Sequence, residues 1–149
     1  MELKARGVEV YLPILKTLKQ WSDRKKWVEE PLFKSYLFVR IFDKDYLDVL
    51  QTRGVVRFIT FRKERVPIPD QQIEAVRAYL NEPDPIPITE TYFEPGSHVR
   101  ITRGTMQGLT GTLVKVRGKH RVIVEIEVIN EKIFLNVPRS FLQLNPNVP

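Results

Sequence analysis

The chain has 149 residues and a mass of 17.5 kDa, enough for one ordinary domain or two small modules, and its 42% apolar and 28% charged residues belong to a globular protein. The absence of cysteine removes disulfides, thiolate nucleophiles, iron–sulfur clusters and the common structural zinc sites. It is compatible with a reducing cytoplasm, the expected location. With 24 Lys and Arg against 18 Asp and Glu, the net charge is +6 and the pI about 9.7, which directs attention to polyanionic partners, nucleic acid first.

Leu3 to Arg6 before Gly7 reads as the last turn of a helix. Strands are predicted at Val8 to Leu12, Leu32 to Phe42 and Val55 to Phe61, where β-branched and aromatic residues concentrate. Between the first two lies KTLKQWSDRKKW, Lys16 to Trp27, which interleaves Lys16, Lys19, Arg24, Lys25 and Lys26 with Trp21 and Trp27. Cations for phosphates beside rings for stacking are what a nucleic-acid contact requires. The alternative is a solvated hairpin tip whose tryptophans pack on the sheet. A short helix is predicted from about Lys44 to Thr52, capped by Asp43, with Leu47 and Leu50 inward and Gly54 as terminator. A longer helix follows Asp70 as N-cap, with Ile73, Val76, Tyr79 and Leu80 at helical spacing.

Residues 81–92, NEPDPIPITETY, place Pro83, Pro85 and Pro87 at alternate positions and predict a stiff extended spacer. The expected organisation is therefore a first module over 1–80, a linker over 81–92 and a second module over 93–149. Both modules are basic, at +4 for residues 1–82 and +4 for 93–149, while residues 83–92 carry −2. The second module is nearly all strand: Val99 to Ile101, Thr112 to Val116, Val122 to Val128 and Lys132 to Val137 are separated by glycines and Asn130-Glu131. Five short strands predict a small barrel. Dense Val and Ile, with Gly118 central, disfavour a helical hairpin in this region.

Catalysis finds little support. His98 and His120 have no second histidine at ligand spacing, Glu125 and Glu127 read as the wet face of one strand, and no nucleotide-binding or nucleophile motif occurs. Neither cofactor nor metal is expected, and no small-molecule substrate. No run of about 18 apolar residues occurs and no apolar segment follows Met1-Glu2-Leu3-Lys4, so neither a membrane partner nor a secretory signal is expected. The strand Leu32 to Phe42 is more informative. Phe33, Leu37, Val39 and Ile41 are expected to face helices, with Tyr36, Phe38 and Phe42 on the opposite side beside Lys34 and Arg40. The pattern leaves two readings for that second face: a docking surface, or a face covered by the helix at 71–80 or by the linker.

PLFKSYLFVRI at Pro31 to Ile41, followed by TRGVVRFI at Thr52 to Ile59, resembles the signature of the NusG N-terminal domain. GSHVRITRGTMQGLTGTLVKV, Gly96 to Val116, resembles the KOW motif, with Gly104, Gly108 and Gly111 at its glycine positions and Met106 in place of its usual loop aromatic. ARGVEVYLP and QWSDRKKWVEEPLF are similar to specialised NusG paralogs that antiterminate polysaccharide operons. The resemblance implies an α+β N-terminal domain, an antiparallel sheet with helices here lacking the family's first strand and most of its first helix, followed by an all-β SH3-like KOW barrel. It implies a non-enzymatic elongation and antitermination factor. Tyr36, Phe38, Arg40 and Arg53 would meet the clamp helices of RNA polymerase, and Lys19, Trp21, Arg24, Lys25 and Lys26 the upstream or non-template DNA. The KOW module would recruit Rho or a ribosomal protein. The competing expectation is an RNA-binding, ribosome-associated KOW protein, using the loop Arg117 to Arg121 on rRNA phosphates.

Overall fold

The computed structural model describes residues 2–61, 64–65 and 67–145, and the chain divides into two units, Met1–Phe58 and Ile59–Pro149. In the first, a single helical turn, α1 (Glu2–Ala5), ends at Gly7, whose φ of +80° returns the chain into β1 (Glu9–Tyr11). A long hairpin follows, β2 (Ile14–Gln20) and β3 (Lys25–Pro31), and then β4 (Phe38–Arg40), which pairs antiparallel with β1. The expected strand over Leu32 to Phe42 is thus reduced to three residues. Ser35, at φ +68°, occupies the left-handed region and interrupts the extended run, while Leu32 and Phe33 enter the turn before it with their side chains buried.

The short helix is also shifted. A 3-10 turn over Asp43–Asp45 precedes α2 (Tyr46–Leu50), and the Phe42 N–H donates to the Asp45 carboxylate at 3.3 Å, so Asp45 rather than Asp43 holds the helix entrance. Tyr46 packs on Phe58 with ring centroids 4.6 Å apart, which turns Val49, one turn on, inward. Leu47, expected inward, stands about 100° round the helix and is 61% exposed. The helix closes at Gln51, its C-cap in right-handed conformation, three residues before Gly54, the expected terminator, which takes φ +90° in the turn that follows.

The second unit begins with the two-residue strands β5 (Thr60–Phe61) and β6 (Glu64–Arg65); of the strand expected over Val55 to Phe61 only β5 forms. Helix α3 (Asp70–Leu80) starts from Pro69 as N-cap, and Asp70 lies in its first turn, where a carboxylate complements the helix dipole. Then come β7 (Glu94–Ile101), β8 (Thr110–Val116), β9 (Lys119–Ile126), β10 (Glu131–Leu135) and β11 (Leu142–Leu144), an antiparallel five-stranded sheet in the order β10-β9-β8-β7-β11. This is the all-β second part that the sequence predicts. Arg117 and Gly118 both take positive φ, the requirement of a two-residue hairpin turn that follows the twist of its strands.

Along β9 the even residues Val122, Val124 and Ile126 are buried with Ile133 and Leu135 of β10 on the inner face. Ile123 points the other way, in register with Phe134 and Thr112, yet it too is buried. Its cover comes from residues 81–93, of which 81–92 were expected to be a free spacer. Ile86 is 2% exposed and clusters with Val114, Val116, Ile123 and Phe134, and Phe93 packs against the same group. The Tyr79 hydroxyl donates to the Ile86 carbonyl at 2.6 Å, and burial, with Glu82 nearby, pushes its pKa up to about 12.

Acidic groups of this strap meet cations of the barrel. Lys119 donates to Asp84 at 3.0 Å, Arg117 to Glu90 at 2.9 Å, and Lys132 to the Glu90 carbonyl at 3.0 Å. Bonding to Lys119 holds the Asp84 carboxyl below its usual range, and backbone N–H donation from Tyr92 together with Arg117 does the same for Glu90. Glu82 accepts the Asn136 N–H at 2.7 Å, but burial dominates there and raises its pKa.

The inner wall has no room at Gly111. A Cβ there would lie 2.3 Å from the Ile123 carbonyl oxygen, a backbone atom fixed by the β8–β9 ladder. Gly111→Ala should therefore destabilise the second unit by about 1–3 kcal/mol or more. Urea denaturation measures this, and an unchanged midpoint would contradict the close approach.

Candidate functional site

The aromatic residues singled out in the first unit do not lie on two opposed faces. Phe38 stacks on Tyr11, its partner across the β1–β4 pair, with centroids 6.3 Å apart, and meets the buried ring of Phe33 edge-on at 6.3 Å. Phe33 and Phe38 were expected on opposite sides of one strand. The turn at Ser35 resets the alternation, so the two rings share one cluster. Tyr36 is half-buried at the exit of that turn, and Arg40 is exposed opposite Glu9 in the ladder. Arg53 is exposed in the turn after α2, anchored by the buried Thr52, whose hydroxyl donates to the Asp48 carbonyl at 2.9 Å.

The first unit also displays exposed apolar side chains, among them Phe42, expected on the second face of its strand, and Leu37 and Leu47, expected inward. Phe42 is 75% exposed with Lys44 over its ring at 5.6 Å, Val56 is 88% exposed, and Leu47 and Leu37 are exposed as well. The signal that could have found Leu47 is the aromatic Tyr46, which fixes the phase of a helix too short to have a reliable period of its own.

The basic segment forms the hairpin expected of it. Gln20 pairs with Lys25, the Trp21 N–H donates to the Arg24 carbonyl at 2.8 Å, and Ser22-Asp23 make the tip. Register places Lys19 opposite Lys26 on one face, and Leu18 opposite Trp27 on the other with Lys25 beside them. Trp27 is 66% exposed and Leu18 47%, and Arg24 lies over the exposed Trp21 ring at 5.8 Å. The tryptophans therefore do not pack beneath a sheet. Lys19 is bound by Glu30, whose carboxyl it holds below the usual range, and Lys16 stands 3.8 Å from Glu29. Arg24, Lys25 and Lys26 are the exposed cations of the tip.

In the second unit, Gly104 and Gly108 take φ of +83° and +97° and fold the β7–β8 connection, closed by Gly108 N–H to the Ile101 carbonyl at 2.8 Å. Met106 is half-buried within it. Glu125 faces Lys132 in register, whereas Glu127 falls in the 3-10 turn Glu127–Ile129 beyond the end of β9, so the two carboxylates do not share a strand. His98 lies 3.4 Å from the Thr112 hydroxyl, and His120 is exposed on β9. Among the described residues no cluster of three His, Asp or Glu is placed to hold a metal ion, and no helix is long and apolar enough to cross a membrane.

Residues 1–77 match the family model described as transcription termination factor nusG. The chain is 27% identical over 123 residues to the transcription termination/antitermination protein NusG of Chlamydia pneumoniae, an alignment covering 79% of this chain and 67% of that protein. It is 26% identical over 124 residues to the protein of the same name from Vibrio cholerae, covering 80% and 68%. Over 55 residues, 34% of the chain, it is 40% identical to a putative transcription elongation factor SPT5 homolog 1 of Arabidopsis thaliana, of which this is 5%. The chain thus spans about two thirds of its bacterial relatives' length and a small fraction of the plant one.

The ring cluster separates two roles that sequence alone merges. Phe38→Ala removes a ring wedged between Tyr11 and Phe33 and should cost the first unit about 2–3 kcal/mol, below the usual figure for a fully buried Phe. Tyr36→Ala should cost less than about 1 kcal/mol. Hydrogen exchange across β1 and β4 measures both, and equal effects would contradict the geometry.

Proposed function

Because this chain belongs to the NusG family, we propose that it is a transcription elongation and antitermination factor, of the specialised paralog type, that acts on RNA polymerase in the cytoplasm without catalysis of its own. The first module, 1–80, docks on the polymerase clamp helices through Tyr36, Phe38, Arg40 and Arg53 and favours a closed DNA cleft. The observation that carries this reading is the family match over residues 1–77, in which these four residues fall. The exposed Phe42 and Leu47 extend the same module's apolar surface. The hairpin tip, with Arg24, Lys25 and Lys26 exposed around Trp21, contacts upstream or non-template DNA, and the KOW module, with Met106 in its loop, recruits a further factor such as Rho or a ribosomal protein. An rRNA-binding role for Arg117 to Arg121 is less well supported, since Arg117 and Lys119 are engaged by Glu90 and Asp84.

Docking is tested with Tyr36→Ala combined with Arg53→Ala, which spares the Phe38 cluster. Affinity for polymerase core should fall by about 2 kcal/mol or more, as for loss of interface anchors; unchanged affinity in the folded double variant refutes the assignment. The hairpin is tested by neutralising Arg24, Lys25 and Lys26 together. Binding to an upstream-fork DNA should lose about 0.9 from its log–log salt slope per duplex phosphate contact, or about 0.7 per single-strand contact, while polymerase docking persists. A slope identical to that of the unaltered chain would leave the tip without a DNA role.

A further inference from the structure

The strap over residues 81–93 meets the barrel as a bound peptide meets its receptor. No residue between Asn81 and Phe93 is in a strand, so the contacts run through side chains and a few polar bonds rather than a ladder. Ile86 is the anchor, sunk among Val114, Val116, Ile123 and Phe134, and Phe93 closes the far end edge-on to Phe134 at 5.8 Å. Around that apolar floor stand four cations. Lys119 and Arg117 bind Asp84 and Glu90, Lys132 lies over the Phe93 and Phe134 rings at 5.3 and 5.5 Å, and Arg121 faces Glu82. Pro83, Pro85 and Pro87 restrict the backbone of the strap before it binds, which lowers the entropy lost on docking.

The fit is incomplete at one end. The Glu82 Oε2 and Arg121 Nε atoms are both buried and make no hydrogen bond among the described residues, a cost that most buried polar groups avoid. The strap owes its place partly to its tether, since a segment covalently joined to its site acts at high effective concentration.

We propose that the outer face of the β8–β9–β10 sheet is a recognition site for an acidic, proline-bearing protein segment with one aliphatic anchor, and that the chain's own strap is its resident occupant. A partner segment of that chemistry enters by exchange with the strap. The four cations select acidic sequence, the Ile86 pocket selects the anchor, and the tether sets the threshold a partner must exceed. This site is separate from polymerase docking, and neither arm of its test contains polymerase.

The experiment uses the full chain with Asp84→Lys, Ile86→Ser and Glu90→Lys, titrated against a fluorescent peptide of residues 81–94 and followed by anisotropy. The unaltered chain should bind the peptide about tenfold or more weakly than this strap variant, the change that roughly 1.4 kcal/mol of lost contacts produces. A peptide carrying Ile86→Ser should lose about tenfold on the same variant. Equal binding by the variant and the unaltered chain, or by the two peptides, overturns the proposal. Should the triple variant lose its strand signal in circular dichroism, Asp84→Lys decides instead, since it leaves the Glu90 carboxylate that accepts the Thr91 and Tyr92 N–H groups in place. Amide exchange over residues 90–92 should then quicken severalfold while residues 122–126 stay protected, and adding Lys119→Glu should reverse it. Unchanged exchange in the strap, or no reversal, overturns the proposal equally.

Discussion

An apolar residue on the outside of a small barrel needs a cover, and Ile123 sets that requirement for the second unit. Its neighbours Val122 and Val124 fill the interior, so β9 is buried on both faces over these three residues. A five-stranded sheet of this size supplies only one core of its own. The second cover is taken from the chain before it: α3, with Ala75, Val76 and Tyr79 buried, and the strap anchored by Ile86. The ion pairs at Asp84 and Glu90 are exposed and contribute little individually. They fix which way an apolar attachment is laid down.

The first unit solves a smaller problem with fewer residues. Tyr11, Phe33 and Phe38 make a ring cluster, and the unit leaves Phe42, Leu47 and Val56 in solvent. Such exposure is costly for a module acting alone and useful to one that meets a partner. The hairpin shows the same economy. It carries Leu18 and Trp27 outward as a cross-strand pair that nothing among the described residues of this unit covers.

Features governed by a single residue's backbone were legible in the sequence. Gly7 turns the chain out of its first helical turn, Gly104 and Gly108 take positive φ in the connection between β7 and β8, where glycines separate the expected strands, and the tip between Trp21 and Arg24 falls where polar residues interrupt two runs. What was not legible depended on partners distant in sequence. Leu32 to Phe42 has the composition of a strand, yet Ser35 breaks it, because burying Leu32 and Phe33 in a turn outweighs local β-propensity. Pro83, Pro85 and Pro87 read as an extended spacer, whereas the chain bends at 82–84 and turns at 88–89, where the Glu90 N–H donates to the Pro87 carbonyl at 2.9 Å. Whether it would float or adhere rested on Ile86 finding Ile123 and Phe134, which no local pattern encodes. For the candidate site, the hairpin forms where the sequence placed it, but the faces on which the aromatic residues stand were not legible, since a one-residue change of alternation moves every side chain to the other side.

The left-handed turn at Ser35 also limits what the chain offers to its own copies. Tyr36 to Ile41 is rich in aromatic and β-branched residues and, extended back through Leu32, would present a long row of unpaired N–H and C=O groups on which another molecule's strand could grow. Cut to Phe38–Arg40 and capped by a cation facing Glu9, β4 presents too short a row to template such growth. One serine in an unfavourable backbone conformation thereby shortens the row of backbone groups that an aromatic segment would otherwise expose.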